Sequence, residues 1–220
     1  MPNDTFNNLP IEKRRHIENM AINEFSTKPY EIASISNIVR KSNIAKGSFY
    51  QYFDDKKALY RYLVELGTEV KLTLLNELPG PQPDGDLFEY LRWQFLSTVH
   101  FELRYPQLAR ILYRAFIEDV PFPNMAEELR RRGTTQFFKQ LFTQGLIHGE
   151  VAVWVDPNMA AFLTEAVFYQ FGKYFINRLR LTGKDLNHTE LLENEEAQHL
   201  LSNLMDILES GMKHSPELRA

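Results

Sequence analysis

An all-α fold is what this sequence predicts, on three observations. Apolar residues recur at three- and four-residue spacing through about nine separate segments. The stretches between them carry the Pro, Gly, Asn and Asp residues that start and stop helices. No strand pattern is longer than 150–155, and there is neither an internal repeat nor a low-complexity segment.

At 220 residues the chain can bury a real core, as one large domain or two small ones. It has no Cys, which excludes a disulfide framework, a thiolate metal site and a Cys nucleophile, and suits a cytoplasmic protein. No apolar run approaches the roughly 20 residues of a membrane-spanning helix, and MPNDTFNNLP has no apolar h-region of a signal peptide.

Taken in order, residues 1–9 are expected to be disordered. Pro10 suits a first helical position, and Ile17, Met20, Ala21 and Phe25 give the helix behind it one apolar stripe. Lys13, Arg14 and Arg15 at its start read as a solvated face first, and as reaching flanking phosphates second. A loop over 26–33, with Pro29, leads to Ser34, a good N-cap for a short helix carrying Ile35, Ile38 and Val39. Asn43 stops that helix. Among non-glycine residues it tolerates the left-handed conformation best, so a tight turn at 42–44 is expected.

A second short helix over about 45–52 would turn Ile44, Phe49 and Phe53 inward and leave Lys46, Ser48, Tyr50, Gln51 and Tyr52 outward or at its rim. That outward set combines a cation, hydroxyls and an amide with a helix N-terminus, a chemistry suited to phosphates and base edges. Gly47 lets a backbone approach closely. Ser34 and Ser36 are placed for phosphate hydrogen bonds, and Lys56 sits in the first turn of the next helix, where the helix dipole assists a phosphate contact. The candidate DNA-binding residues are therefore Ser34, Ser36, Lys46, Gly47, Ser48, Tyr50, Gln51, Tyr52 and Lys56.

That next helix, capped by Asp55, is long, about 55–78, with Leu59, Leu66, Val70 and Leu74 on one side. The Pro- and Gly-rich stretch 79–85 cannot be helical and marks a linker. Asp86 with Glu89 predicts a capping box for a helix over 87–104. Tyr105-Pro106 starts another, to about Glu118. Pro121 and Pro123 end that region, and Asn124 with Glu127 caps a helix closed by His148-Gly149. Asp156-Pro157 opens the eighth helix, and the last runs over about 192–213 with Leu201, Leu204, Leu208 and Met212 on one face. The run Arg130-Arg131-Arg132 reads as a solvated face.

The eighth helix bears on assembly. Between Met159 and Ile176 its clearly polar residues are Thr164, Glu165, Gln170 and Lys173, so its apolar surface wraps nearly the whole circumference and must be covered on more than one side. A partner chain is the natural second cover, with Ala160, Ala161, Ala166 and Gly172 permitting close approach; a central helix in a monomeric core is the alternative. Nineteen of the 28 aromatic residues lie between Phe88 and Phe175, more bulk than helix seams need, and aromatics also line small-molecule pockets.

Net charge is −4, yet residues 1–60 hold nine Lys or Arg against seven acids, so a +2 head precedes a −6 remainder. That asymmetry fits a chain meeting DNA at one end. None of the six His forms an H-x-x-x-H pair, and no G-x-S-x-G, G-x-x-x-x-G-K or G-x-G-x-x-G occurs. Neither an enzyme nor a metal or cofactor is expected.

The run Lys46-Gly47-Ser48-Phe49-Tyr50-Gln51-Tyr52-Phe53, then Asp54-Asp55-Lys56-Lys57-Ala58-Leu59-Tyr60, resembles the signature of the TetR family of bacterial transcriptional regulators. Pro29 stands where that family often has Gly, and Asn43 replaces the usual Gly of the motif's turn; both are compatible with a turn. The resemblance implies a three-helix helix-turn-helix DNA-binding domain over 1–56 and a helical effector-binding and dimerisation domain over 57–220. It implies a homodimer on a pseudo-palindromic operator, most often a repressor, released by a small, mainly apolar effector. A DNA-bound assembly factor without a pocket is the alternative on the same scaffold. The expected pocket residues are Trp93, Leu96, His100, Tyr113, Phe116, Phe138, Phe142 and Phe168. The family's four-helix-bundle interface would use Ala161, Phe168, Phe171, Gly172, Phe175, Leu201, Leu204 and Leu208.

Overall fold

The computed structural model describes residues 2–81, 85–117, 134–181 and 194–213, and every regular element among them is a helix. In chain order these are α1 (Asp4–Asn7), α2 (Ile11–Thr27), α3 (Ile35–Lys41), α4 (Lys46–Tyr52), α5 (Lys56–Glu77), α6 (Leu87–Arg104), α7 (Pro106–Ile117), α8 (Thr134–Ile147), α9 (Pro157–Leu181) and α10 (Glu195–Met212). The 150–155 stretch forms no strand and holds one isolated bridge, between Val151 and Lys213. No helix among the described residues is long and apolar enough to cross a membrane. The expectations resting on Pro121, Pro123, Asn124, Glu127, Arg130, Arg131, Arg132 and Leu192 lie outside the described residues.

Local chemistry starts and stops these helices where the sequence places its signals. Ser34 Oγ accepts from Asn37 N, and Asp55 Oδ1 accepts from Ala58 N at 2.7 Å. Asp86 Oδ1 accepts from the amides of Phe88 and Glu89, and Asp156 Oδ1 from those of Asn158 and Met159. Each satisfies amides that a helix N-terminus leaves without intrahelical partners. Asn43 has φ 52°, and Ile44 N then reaches back to Val39 O at 3.1 Å, which closes the turn between α3 and α4.

Residues 2–9 depart from the expectation of disorder. Asn3 N donates to Tyr52 O at 2.8 Å, and Phe6, on α1, is fully buried against Phe53, Tyr62 and Tyr52, with ring centroids 4.8, 5.7 and 5.8 Å away. One aromatic in a polar segment is enough to dock it, because a buried ring removes a large apolar area from water.

The described residues pack into two units, 2–72 with 105–117, and 73–81 and 85–104 with 134–181 and 194–213. Most of α5 and all of α7 pack with the N-terminal unit, past the expected division at residue 56. Several contacts hold α7 there, Arg110 Nη1 donating to Ser26 O at 3.4 Å among them. Tyr60 Oη donates to Ile111 O at 3.4 Å. Leu112 lies so close to Gly67 that a Cβ there would meet it at 3.2 Å. Arg114 Nη1 donates to the carbonyls of Phe25, Ser26 and Lys28, at 2.9, 3.4 and 2.7 Å, at the end of α2. Those are the carbonyls a helix C-terminus leaves unanswered, and a cation suits the negative end of its dipole.

The second unit is the body. α9 packs against α6, α8 and α10 around Phe88, Leu91, Phe95, Phe142, Phe175 and Leu179. Gly145 and Gly172 permit close approach: a Cβ at 145 would meet Leu87 at 2.6 Å, and one at 172 would meet Glu102 at 2.7 Å. The end of α10 is fastened by Ala152 N to Met212 O at 2.9 Å and by Lys213 Nζ to Asp86 Oδ2 at 3.1 Å.

Candidate nucleic-acid interface

The reader is built from α3, the Asn43 turn and α4. Phe49 and Phe53 are fully buried beneath α4, which fixes which side of that short helix faces out. Lys46, Gly47, Tyr50 and Gln51 are exposed, Ser48 is half-buried, and on α3 Ser36 is exposed with Ser34 half-buried. Tyr50 is 49% exposed, its ring resting edge-on against Phe49 at 5.2 Å, so a hydroxyl-bearing ring is held outward on a rigid base. Lys46 has no side-chain partner among the described residues. An exposed ammonium, a phenol and an amide on one short helix, opened by a glycine, can meet phosphates and base edges.

Two of the expected contact residues are placed otherwise. Tyr52 is only 5% exposed and packs on Phe6, because α1, which the sequence did not predict, covers that side of α4. Lys56 turns its ammonium inward. Nζ donates to the carbonyls of Tyr30, Glu31 and Ala33 at 2.8, 3.3 and 3.0 Å and lies 4.4 Å from the centroid of the Tyr30 ring. It holds the 29–33 loop in place rather than presenting a free cation.

Glu24 supports the reader from behind, and sequence reasoning missed it. It is 1% exposed and accepts from Lys28 Nζ at 2.7 Å, from Ser34 N at 3.1 Å and from Asn37 Nδ2. Burial pushes its carboxyl up, but the hydrogen bonds from Lys28, Asn37 and Ser34 outweigh that and hold it below the usual carboxylate range. Asn37 in turn accepts from Arg40 Nη2 at 2.7 Å. The α2 end, the α3 N-cap and the outer face of α3 are thus one network. Its signal was available: position 24 continues the apolar stripe of Ile17 and Ala21, where a carboxylate demands partners.

In the body, the expected pocket residues divide. Tyr113 and Phe116 lie on α7 in the first unit; Trp93, Leu96, His100, Phe138, Phe142 and Phe168 lie in the second. Rings there form a continuous series: Trp93 to Tyr90 at 5.4 Å, Tyr90 to Phe137 at 5.8 Å, Phe137 to Phe138 at 5.4 Å, and Phe138 to Phe168 at 5.5 Å. Beside that series Glu165 is 8% exposed; Oε2 accepts from Thr135 Oγ1 at 2.6 Å, while Oε1 is buried with no partner.

The expected interface residues lie mostly inside this one chain. Ala161, Phe168, Phe171, Phe175, Leu201 and Leu208 are all buried within this one chain, Gly172 is filled by Glu102 and Thr98, and Leu204 is half-buried. A helix apolar all round gives no phase, and of its small residues Gly172 packs on α6 while Ala166 is exposed. The exposed apolar residues of α9 are instead Met159, Phe162, Leu163 and Tyr174, with Phe162 61% exposed, and Ile207 on α10 is 70% exposed.

Comparison with known proteins follows this geometry. Residues 19–63 match the family described as bacterial regulatory proteins, tetR family, and residues 85–213 match the tetracyclin repressor-like C-terminal domain. A TetR family transcriptional regulator from Chloroflexus aurantiacus J-10-FL, known from its crystal structure, is 38% identical, with 98% of this chain and 100% of that one aligned at a TM-score of 0.83. AibR, crystallised in complex with isovaleryl coenzyme A and operator DNA, shares the fold at 15% identity and a TM-score of 0.63, over 89% of this chain and 97% of that one. The uncharacterized HTH-type transcriptional regulator YdgC of Bacillus subtilis (strain 168) is 37% identical over 54 residues, spanning 24% of this chain and 28% of that protein.

Proposed function

The chain belongs to the TetR family of bacterial transcriptional regulators, and from that premise we propose that it is a homodimeric repressor whose operator affinity is lowered by a small, mainly apolar effector bound in the body. The observation that carries the DNA half is the strip Lys46, Gly47, Tyr50 and Gln51, exposed on a helix whose other side is clamped by Phe49 and Phe53. Ser34, Ser36 and Ser48 supply phosphate contacts at its edges. Lys56 and Tyr52 act behind the interface, holding the loop and the base of α4.

Two readers of one dimer would meet successive major grooves, about 34 to 36 Å apart, on a pseudo-palindrome. The dimer reading is supported by the apolar row Met159, Phe162, Leu163 and Tyr174, which recurs at helical spacing on the exposed side of α9. The effector reading is supported by the aromatic series of the body and its unanswered polar groups. An effector lowers operator affinity only by its differential affinity for the two reader arrangements.

The test is a gel-shift titration on DNA upstream of the protein's own gene. Tyr50→Ala and Gln51→Ala should each weaken binding by roughly tenfold, one good base or phosphate contact, with helical content unchanged by circular dichroism. Phe162→Glu should give monomers by light scattering and lose specific binding with them. Unchanged affinity in both α4 variants would overturn the interface, and a Phe162→Glu dimer would overturn the face.

A further inference from the structure

We infer that the body of this protein binds an amphiphilic organic cation, an ammonium or amidinium group on an apolar tail, with Glu165 as its carboxylate partner. The inference rests on the reading of the body as the effector-binding unit and adds the charge and donor chemistry of the ligand.

Three observations carry it. First, Glu165 sits in the middle of α9, 8% exposed, and among the described residues it has no ion-pair partner. Its Oε2 accepts from Thr135 Oγ1 at 2.6 Å, and its Oε1 is out of reach of solvent with no donor among the described residues. Folded proteins answer nearly all buried polar atoms, so one that is left open on a carboxylate marks a place where a donor arrives from outside the chain. Second, the neighbouring Thr164 is fully buried, and its hydroxyl also lacks a partner. Third, the surroundings are apolar and aromatic. Three residues beyond the Thr135 to Glu165 contact on each helix, Phe138 and Phe168 meet edge to face at 5.5 Å. A carboxylate oxygen lacking a donor one helical turn from an aromatic pair suits a cation with at least one N–H, since the charge pairs with the carboxylate and nearby rings attract it through their quadrupoles. An anion would meet repulsion at Glu165, and a neutral apolar molecule would leave Oε1 as it is.

The contrast with Glu24 excludes a general habit of leaving carboxylates open in this chain. That glutamate is buried more deeply, and three donors answer it.

The experiment is calorimetric titration of the full-length protein with three probes of one shape: 4-phenylbutylamine, 4-phenylbutanol and 4-phenylbutyrate. The ammonium is expected to bind at least tenfold more tightly than the alcohol, and the carboxylate most weakly. Glu165→Gln keeps the volume and should abolish the ammonium's advantage while leaving the alcohol's affinity within about twofold. Thr135→Val, which removes the one existing donor, should retain the advantage, and it decides the matter should Glu165→Gln prove unfolded by circular dichroism. Equal binding of ammonium and alcohol, an advantage that survives in Glu165→Gln or is lost in Thr135→Val, or no binding of any probe would overturn the inference. Gel shifts with the same probes separate it from the broader reading. An ammonium that binds through Glu165 without releasing DNA would refute the effector role and leave the site standing; release by the alcohol and the ammonium at equal affinity would do the reverse.

Discussion

Glu24 in the head and Glu165 in the body are both buried glutamates on long helices, and the difference between them separates the two regions. Glu24 receives an ammonium, a backbone amide and a side-chain amide, so its carboxylate is fastened into the base of the reader. Among the described residues Glu165 receives one hydroxyl, and its other oxygen has no partner. A fully answered buried charge makes geometry rigid, which a reader of DNA needs. A half-answered one keeps capacity for something else, which suits a sensor.

The largest effect expected from this contrast is on stability. Glu24→Ala strands the amide of Ser34 and the side chain of Asn37, and should destabilise the head by about 3 kcal/mol. Glu165→Leu removes a buried charge without stranding a donor other than the Thr135 hydroxyl, and should change stability by less than about 1 kcal/mol or raise it. Hydrogen exchange of α2 to α4 and of α9 in urea measures both, and equal losses would break the comparison. Next in size, Arg114→Met removes a charged donor from three carbonyls at the end of α2 and should cost the head about 2 kcal/mol. Protection is expected to fall in α2 and α7 and to stay unchanged in α9.

The pH dependence of the head sharpens the same point. The Glu24 carboxyl is held below its ordinary value of 4.5, because its hydrogen bonds outweigh the effect of burial. A lowered folded-state value means that its contribution is fully present above the unfolded carboxylate range, about 4.3, and is lost as pH falls through the folded value. The stability difference between wild type and Glu24→Gln should therefore be constant near neutrality and shrink in acid; a difference that grows in acid would contradict the network. The smallest effect is at the turn: Asn43→Ala should cost about 1 kcal/mol for a left-handed residue without Asn's tolerance, while Asn43→Gly should not destabilise. Thermal unfolding of the two variants checks the order.

What could be read in the sequence was local. Ser34, Asp55, Asp86 and Asp156 cap helices from three residues away or fewer, and Asn43 takes the conformation its chemistry allows. The α4 face was legible because Phe49 and Phe53 leave one way to turn it. What could not be read involves partners far along the chain. Lys56 meets carbonyls 23 to 26 residues earlier, and Arg114 reaches back 86 to 89. Phe6 in a polar segment carries no periodicity, so its docking was invisible. The phase of α9 was ambiguous for the opposite reason: with apolar residues on nearly every side, the pattern says that two faces are covered but not which one the chain covers itself.

The inward turn of Lys56 bears on how this protein and DNA exchange ions. A side chain that met a phosphate would displace one condensed counterion from the duplex, so its removal would flatten the dependence of affinity on salt by about one logarithmic unit per unit. With its ammonium already surrounded by the carbonyls of Tyr30, Glu31 and Ala33, Lys56→Met should weaken binding by loosening the loop before Ser34 while leaving the slope as it was. Lys46, exposed at the start of α4, is the lysine whose loss should release one fewer ion.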